Sequence, residues 1–350
     1  GPTATPTEPP TSTPPPPPPP IEVSTPVAPN PFTCPQWILF HSFRTGTLEI
    51  YRQDGVEGRN AVITNISQGV GSRPSRSRSD EWVVFESDRT GNVELFLADS
   101  LGRSVTRLTY TQANNINPMF GPDNRTVVFQ SDRNGNWDVF TVDISTYVER
   151  QLTSDPHDDI NPYWSPDGKW IVFQSDRTGS HDVLILNVET GEEFQVTRAI
   201  ADEVAPSWSP NGRQLAFLSN VGGLYELFVV DVSGEHARQI TLSGAAGNYA
   251  WSPEGNRLAY QDQRDGNLDV YTFSLLTDEE FRLTDYAGAD SAPSWDCGGS
   301  RVAFSTTRDG DINVLQVGWK GGPQSNLTVH LASDKWAEWS PSKEIASQGR

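Results

Sequence analysis

The chain has 350 residues with 26 basic and 45 acidic side chains, which gives a formal net charge of −19 at pH 7. This acidic balance argues against binding to nucleic acid or to an anionic membrane surface, and it favours solubility, cation binding or a basic partner. No apolar run reaches the ~18 residues that a membrane-spanning helix needs, so the sequence predicts no membrane span.

Residues 1–31 differ in composition from the rest of the chain. Thr residues alternate with Pro and Ala, and proline occupies every position from Pro14 to Pro20. Because proline lacks a backbone N–H and favours polyproline II, we predict a stiff, extended arm that rises ~3.1 Å per residue. The arm is either a disordered spacer or a functional segment that docks on a neighbouring copy. Such segments are also typical of O-glycosylated stalks, with candidate sites at Thr3, Thr5, Thr7, Thr11 and Thr13.

The rest of the chain repeats one pattern seven times. An aromatic residue, called the anchor below, recurs every 43 to 45 residues, at Phe40, Phe85, Phe129, Phe173, Phe217, Tyr260 and Phe304. A Gly follows each anchor after six residues, which indicates a tight hairpin turn with positive φ. Each repeat then carries a second large apolar residue and an aliphatic-Thr pair such as Leu108-Thr109. A repeat of this length, made of short apolar runs, predicts one four-stranded β-propeller blade per copy.

The remaining strand of each repeat precedes the anchor. In Trp164-Ser165-Pro166-Asp167-Gly168 a Trp is followed by a turn sequence, so this strand forms a hairpin with the anchor strand. The first repeat lacks such a strand, and the missing one appears near the other end of the sequence, at 336–341. We therefore predict an all-β, seven-bladed propeller over residues 32–342, closed by a C-terminal strand that completes blade 1, followed by a tail at 343–350.

The stretch from Trp164 to Gly179 resembles the repeat of TolB-type propellers. It contains the Trp-Ser-Pro-Asp-Gly turn, an anchor strand and Ser175-Asp176-Arg177-Thr178-Gly179, and it leads into Asp182-Val183-Leu184. The resemblance covers residues 33–341 and implies a propeller that serves, in one alternative, as a periplasmic or cell-surface binding module. TolB itself has six blades and an additional N-terminal α/β domain, for which residues 1–32 offer no counterpart.

The turns after the anchors form a repeated polar cluster. An Arg stands four residues after six of the anchors, and a carboxylate follows five positions later in most repeats. The arginines are Arg44, Arg89, Arg133, Arg177, Arg264 and Arg308, and the carboxylates are Glu49, Glu94, Asp138, Asp182, Glu226 and Asp269. We interpret each pair as an Arg–carboxylate brace across the hairpin, because a feature of nearly every blade is structural.

A candidate binding site lies fourteen residues before the anchors, where the loops between blades lead into the innermost strands. These positions are Gly71, Asn115, Asp159, Glu203, Ala246 and Asp290, with Asp334 in the split blade and Asp158 and Asp202 adjacent. We predict an acidic rim around the channel mouth that binds a protein partner or a glycan. Asp158, Asp159, Glu203 and Asp290 are weak candidate ligands for a cation such as Ca²⁺. The alternative is that these side chains cap their own turns.

Blade 2 departs from the pattern because Arg76 stands where most blades carry Trp, and it is flanked by Arg73 and Arg78. In one interpretation, the three arginines form an anchor for an anionic group or for a carboxylate of a partner. In the other, Arg76 merely stacks where Trp would.

The chain contains two cysteines, Cys34 and Cys297, which fall in the first and last blades and so become neighbours in a closed ring. We predict that they form a disulfide that stabilises the seam by ~2–4 kcal/mol, the alternative being two buried free thiols. Sequons occur at Asn65, Asn124 and Asn326. Together these features predict a secreted, extracellular or cell-surface protein, with the periplasm as the alternative.

Catalytic signatures are missing from the sequence. It contains no Gly-x-Ser-x-Gly, no His-Glu-x-x-His and no phosphate loop, and the five histidines fall at different phases of the repeat. We therefore expect a non-catalytic protein without a cofactor. Two functions stay open: a structural subunit that assembles with itself into a fibre or array through the arm, and a binding module that captures a protein, glycan or cation at the rim.

Overall fold

The computed structural model describes residues 37–54, 60–63, 70–242, 246–328 and 333–339. Every helix or strand assigned within these ranges is a β-strand, and the strands form seven antiparallel sheets of four strands each. The predicted seven-bladed, all-β propeller is therefore confirmed, with one blade for each copy of the repeat.

The blades are numbered in chain order, and each contains four strands that lie side by side between the central axis and the circumference. The strands are, in blade 1, β1 (Trp37–Ser42), β2 (Glu49–Asp54), β3 (Asn60–Val62) and the C-terminal β28 (Asp334–Trp339); in blade 2, β4 (Gly71–Arg76), β5 (Trp82–Ser87), β6 (Glu94–Asp99) and β7 (Val105–Arg107); in blade 3, β8 (Asn115–Phe120), β9 (Thr126–Ser131), β10 (Asp138–Asp143) and β11 (Glu149–Gln151); in blade 4, β12 (Asp159–Trp164), β13 (Trp170–Ser175), β14 (Asp182–Asn187) and β15 (Glu193–Gln195); in blade 5, β16 (Glu203–Trp208), β17 (Gln214–Ser219), β18 (Glu226–Asp231) and β19 (Arg238–Gln239); in blade 6, β20 (Ala246–Trp251), β21 (Arg257–Asp262), β22 (Asp269–Ser274) and β23 (Glu280–Arg282); and in blade 7, β24 (Asp290–Trp295), β25 (Arg301–Thr306), β26 (Asn313–Gly318) and β27 (Ser325–Asn326).

The first strands of neighbouring blades, such as β8 and β12, contact one another, so they border the central axis. The fourth strands are short and partly or fully exposed where their side chains are described, which places them at the circumference. Blade 1 has the order β28-β1-β2-β3, which confirms that a C-terminal strand completes it. The register pairs Ile38 with Trp339 and Ser42 with Asp334, so β28 covers the inner edge of β1 and closes the ring.

The anchors form the core of each blade. Phe129 is completely buried, and its ring stacks on that of Phe140 in the next strand with 5.7 Å between centroids. The same stacking joins Phe217 to Phe228 in blade 5. Burial of one large apolar side chain stabilises a protein by roughly 1.5–3 kcal/mol. The repeated aromatic pair therefore explains why the sequence keeps a large apolar residue at both positions.

A β-bulge in the innermost strand couples neighbouring blades. Asn117, Asn161 and Ala205 have positive φ values between 50° and 56°, and the strand register shifts around them. Because of the bulge, their backbone N–H groups do not hydrogen-bond to the neighbouring strand, and they donate instead to a side chain of the preceding blade. The N–H of Asn161 donates to Oε1 of Gln130 at 2.8 Å, and that of Ala205 donates to Oε1 of Gln174 at 2.7 Å. Each such bond joins two blades beside the channel.

The two faces of the ring carry different turns. The turns between second and third strands and the loops that join blades lie on one face, called the arginine face below, and the other turns lie on the opposite face. In blades 2 to 7, the Thr of the aliphatic-Thr pair closes the arginine-face end of its blade. The hydroxyl of Thr109 accepts a hydrogen bond from the backbone N–H of Leu95 at 3.0 Å, and the hydroxyl of Thr197 accepts one from that of Val183 at 2.8 Å. This hydrogen bond explains why Thr recurs there.

Several predicted features lie outside the described residues, namely the arm at 1–31 with its threonines, the tail at 343–350, Cys34 and Asn65. Cys297 is buried in blade 7, and the disulfide stays a prediction. Asn326 is exposed in β27, whereas Oδ1 of Asn124 accepts the backbone N–H of Ser79 at 2.7 Å. In the part of the chain that the structure describes, no helix has the length and apolar character needed to cross a membrane.

Candidate functional site

On the arginine face, the arginine of the turn reaches the first residue of the innermost strand. Nη2 of Arg177 lies 2.8 Å and 3.0 Å from the two carboxylate oxygens of Asp159. The two meet because Asp159 pairs with Ser175 in the register, and Arg177 follows Ser175 by two residues. The same ion pair occurs in two further blades, as Arg44–Asp334 and Arg308–Asp290.

Turn arginines also reach the outermost strand. Nη1 of Arg177 lies 2.5 Å from Glu193, and Nη1 of Arg264 lies 2.8 Å from Glu280. Because Asp159 begins β12 and Glu193 begins β15, the Arg177 side chain ties the first strand of blade 4 to the fourth. Charge-assisted bonds at both ends make this arrangement a structural brace across the whole blade.

The carboxylate that completes the brace is not the one expected from the sequence. Asp269, which belongs to the expected set, accepts the hydroxyl of Thr284 at 3.1 Å and lies 2.6 Å from Nη2 of Arg282. The expectation was wrong because the first residue of the third strand faces the outer strand. The turn arginine instead extends across the blade over the anchor, as Arg177 does over Phe173 at 5.7 Å.

The acidic positions at the start of the innermost strands are buried. Asn115, Asp159, Asp290 and Asp334 are 0% exposed and Glu203 is 2% exposed. Burial raises the pKa of Asp159 and that of Asp290 above their usual range. These side chains therefore lie inside the blades, where arginines cover most of them, and binding of a partner, glycan or cation at this rim stays a prediction.

Asp158 and Asp202 are partly exposed beside these positions and accept backbone N–H groups of neighbouring turns. Oδ1 of Asp158 accepts from Trp137 at 2.9 Å, and Oδ1 of Asp202 accepts from His181 at 3.1 Å. The second bond is the main reason that the pKa of Asp202 lies below its usual value. Both side chains thus cap turns. In the described ranges, no group of three His, Cys, Asp or Glu side chains is placed to hold a metal ion.

The three arginines of blade 2 do not converge on one site. The Arg76 side chain is completely buried, and its guanidinium lies 4.3 Å from the ring centroid of Trp37. Arg78 donates to the backbone carbonyl of Pro166 at 3.3 Å, whereas the Arg73 side chain is 56% exposed. Arg76 therefore stacks on an aromatic ring where most blades carry Trp, and the geometry does not build an anion site from all three.

Blades 2 and 5 depart from the brace in opposite ways, and in blade 6 Ala246 replaces the carboxylate and Arg264 pairs with Asp262 instead. Blade 2 begins its innermost strand with Gly71, so Arg89 has no carboxylate opposite it, and its buried Nη2 has no hydrogen-bond partner among the described residues. Blade 5 has the carboxylate of Glu203, but its turn carries Val221 where the other blades carry Arg. Oε1 of Glu203 accepts the hydroxyl of Ser219 at 3.1 Å, and Oε2 has no partner in the described part of the chain.

Blade 5 also exposes a group of apolar side chains on the arginine face. They come from the loop before β16, the turn between β17 and β18, and the loop after β19. This group, called the blade-5 patch below, consists of Ile200, Val221, Leu224, Tyr225 and Leu242. Hydrogen bonds hold the three segments together: Asp202 N donates to Oδ1 of Asn220 at 2.8 Å, and Ala246 N donates to the carbonyl of Tyr225 at 3.0 Å. Clustered exposed apolar side chains are typical of protein interaction sites.

Sequence reasoning missed the blade-5 patch, although the sequence contains a signal for it. The turn reads Ser219-Asn220-Val221-Gly222-Gly223-Leu224, so apolar residues replace both the arginine and the polar residue that follows the Gly in most other turns. The repeated carboxylates predict a binding rim, but most of them are buried and paired within their own blades. The turn of blade 5, which departs from the repeat at Val221 and Leu224, is therefore the sequence signal for the blade-5 patch.

The comparison with known families is consistent with this architecture. The model described as the TolB β-propeller domain matches residues 25–240 and 206–347. Among solved structures, TolB from Acinetobacter baumannii is 17% identical, with a TM-score of 0.56 over 87% of this chain and 83% of that one. No curated protein matches the sequence.

Enzymes also occur among the similar structures. An oligogalacturonate lyase in complex with manganese is 15% identical, with a TM-score of 0.65 over 85% of this chain and 87% of that one. A prolyl endopeptidase is 12% identical, with a TM-score of 0.67 over 89% of this chain and 50% of the peptidase. The chain thus spans about half of the peptidase. At these identities the likeness shows the fold alone.

Proposed function

Because the chain belongs to the TolB β-propeller domain family, we propose that it is a non-catalytic scaffold that binds a protein partner through the blade-5 patch. The observation that carries this proposal is the exposure of five apolar side chains on one face of blade 5, where Val221 and Leu224 replace the arginine and the polar residue of the other turns. Removal of such surface from water stabilises a complex by roughly 25 cal/mol per Å² of apolar area. A protein surface is the ligand class that covers several exposed side chains at once.

The environment of the buried carboxylates supports a role that is not catalytic. A general acid or base must lie within hydrogen-bond reach of its substrate. Asp159 and Asp290 are instead covered by Arg177 and Arg308 of their own blades. Their charges hold strands together, and the apolar patch of blade 5 supplies the surface for binding.

Site-specific photo-crosslinking tests the proposed binding surface. We expect a photo-reactive amino acid at Leu224 to crosslink one protein reproducibly in the native host. The matched control carries the same group at Leu276, which is similarly exposed but lies in a turn on the opposite face. Ile200→Ser and Leu242→Ser in the same chain should abolish the crosslink and weaken binding of the purified partner. Equal crosslinking from Leu224 and Leu276 would refute the assignment.

A second candidate function is self-assembly through the arm in an exported protein. The observation that favours it is the position of β1, whose first residue, Trp37, lies at the end of the blade away from the arginine face. Trp37 and the blade-5 patch therefore lie on opposite faces of the ring, and both faces are available for contacts between copies. This arrangement is suited to head-to-tail contacts, which build open polymers when they do not close.

Electron microscopy separates the two candidates. Full-length protein is compared with a truncated chain that starts at Pro31, at the same concentration and in the same buffer. Fibres that form with the arm and vanish without it would establish a structural subunit. Single discs in both samples would remove the second candidate and leave the blade-5 patch as the binding surface for a different protein.

A further inference from the structure

Blade 5 retains the frame that surrounds the brace arginine in other blades. Glu203 occupies the carboxylate position at the start of β16, 2% exposed, and its Oε1 is held by Ser219 at 3.1 Å. Phe217 and Phe228 stack with 5.7 Å between centroids and 14° between planes. In blade 3 the corresponding pair, Phe129 and Phe140, lies beneath a guanidinium, with Cζ of the arginine 4.2 Å from one ring.

The cation is the missing component. Val221 stands at the arginine position and its side chain is too short to reach the carboxylate. Oε2 of Glu203 is buried and has no hydrogen-bond partner among the described residues. Burial raises the pKa of Glu203 and the nearby Asp182 carboxylate raises it further, while hydrogen bonds with Thr197 and Ser219 lower it. A buried carboxylate oxygen without a partner is costly, so a ligand that supplies the donor gains binding energy there.

We propose that blade 5 is a socket for an arginine side chain supplied by the protein partner, with Glu203 as counter-ion and the Phe217–Phe228 pair as stacking surface. This inference rests on the proposed function and names the residue type that the partner contributes. Guanidinium is the cation that the same frame holds elsewhere in this ring, as in Arg177–Asp159 and Arg308–Asp290. Its planar fork bonds a carboxylate and stacks on an aromatic ring at once, which an ammonium does less well.

The surroundings of the socket define the rest of the partner segment. The exposed apolar side chains of the blade-5 patch lie on the turn and loops around Val221, so residues next to the incoming arginine should be apolar. A Cβ built on Gly222 or Gly223 meets no atom within 4 Å, so the space next to the turn is open to an approaching chain. The net charge of −19 favours association with a basic segment.

Arginine amide is the probe for the first test, with lysine amide as the matched control. Thermal unfolding of the full chain is followed from zero to ~100 mM of each compound at constant ionic strength. We expect arginine amide to raise the unfolding temperature more than lysine amide, with an apparent Kd on the order of 1–10 mM. Val221→Arg fills the socket from within, and Glu203→Gln removes the counter-ion. Each should weaken binding of arginine amide by ~10-fold or more.

Val221→Arg restores the residue of the other blades, so it should fold, and Glu203→Gln keeps the shape of the side chain. Equal responses to the two amides, or undiminished arginine binding by Val221→Arg, would overturn the socket. Arg198 lies on the loop before β16 and is exposed. If Arg198→Ala, rather than the two socket variants, changed the response, the socket would be filled by the chain itself and the proposal would be wrong.

The crosslinking experiment separates failure of the socket from failure of the proposed function. A partner crosslinked at Leu224 that binds Val221→Arg as tightly as the unmodified chain would refute the socket and leave the patch in place. Selective binding of arginine amide with no crosslinked partner would support the socket and refute the proposed function. The socket and the proposed function are both supported when Val221→Arg weakens binding of the partner and of arginine amide in parallel.

Discussion

Removal of Arg177 should destabilise the ring more than removal of the arginine at the same turn position in blade 2. In blade 4, Arg177→Ala leaves Asp159 completely buried without its cation and frees Glu193 on the outer strand. Blade 2 begins its innermost strand with Gly71, so Arg89→Ala leaves no carboxylate unpaired at that position, and the Arg89 charge acts instead on Glu49 of blade 1. The two substitutions delete the same side-chain atoms from equivalent turns, and they differ in whether a buried carboxylate at the start of the innermost strand loses its cation.

The structure sets the size of each effect. Loss of one partner from a buried ion pair costs about 3–5 kcal/mol, and because Arg177 is itself 19% exposed we expect about 2–4 kcal/mol for Arg177→Ala. Arg89 donates to Oγ of Ser87 at 3.1 Å and stacks at 4.4 Å from the Phe96 centroid. Those two contacts are worth about 1 kcal/mol together. The expected difference between the variants is therefore at least about 1 kcal/mol.

Equilibrium unfolding in urea, monitored by tryptophan fluorescence at pH 7 and checked for reversibility, measures both variants against the unmodified chain. A third variant, Arg177→Ala with Asp159→Asn, tests the cause. Asn stands at the same position in blade 3, as Asn115, so the double variant should recover at least half of the loss. Equal costs for Arg177→Ala and Arg89→Ala, or no recovery with Asn, would refute the reasoning that an uncompensated buried charge causes the loss.

Three further predictions concern other contacts. Burial raises the folded-state pKa of Glu203, so its contribution to stability is complete at low pH and is lost as pH rises through that pKa. The unfolding free energy of Glu203→Gln should match that of the unmodified chain near pH 4 and exceed it increasingly above the ordinary Glu pKa of 4.5. A difference that does not change with pH would contradict this. Gln130→Leu removes the acceptor of the Asn161 N–H, so it should cost about 1–3 kcal/mol and speed hydrogen exchange at that amide, with an unchanged exchange rate as the contrary result. Cys34→Ser should lower stability by ~2–4 kcal/mol, and peptide mapping without reductant should find Cys34 linked to Cys297; a free thiol at Cys297 would disprove the bridge.

The architecture could be predicted from the sequence because it depends on local, repeated chemistry. Anchors such as Phe129 recur at a nearly constant period of 43 to 45 residues, and each blade needs its own apolar pair and its own tight turn. Closure was predictable because the first copy lacks one strand and the far end of the sequence supplies it. These features require only that repeats of similar sequence adopt the same structure, which holds when each repeat packs mainly against its neighbours.

The candidate site could be predicted only in part, because burial depends on contacts between segments far apart in the sequence. The sequence shows that Asp159 and Arg177 recur in several blades, but eighteen positions separate them. Their contact follows from the bulged register of the first two strands, which places Asp159 opposite Ser175. The socket in blade 5 becomes visible only when Val221 is compared with the arginine of a folded neighbouring blade.

The split blade also determines how the ring responds to force. Ile38 pairs with Trp339, so the chain enters β1 and leaves β28 at the same end of this strand pair. A pull that draws the two ends of the propeller apart therefore breaks the hydrogen bonds between these strands one after another rather than all together. The other six blades carry none of that load until blade 1 has parted. Under tension from both ends, the mechanical strength of the whole ring is that of a single strand pair opened from one side.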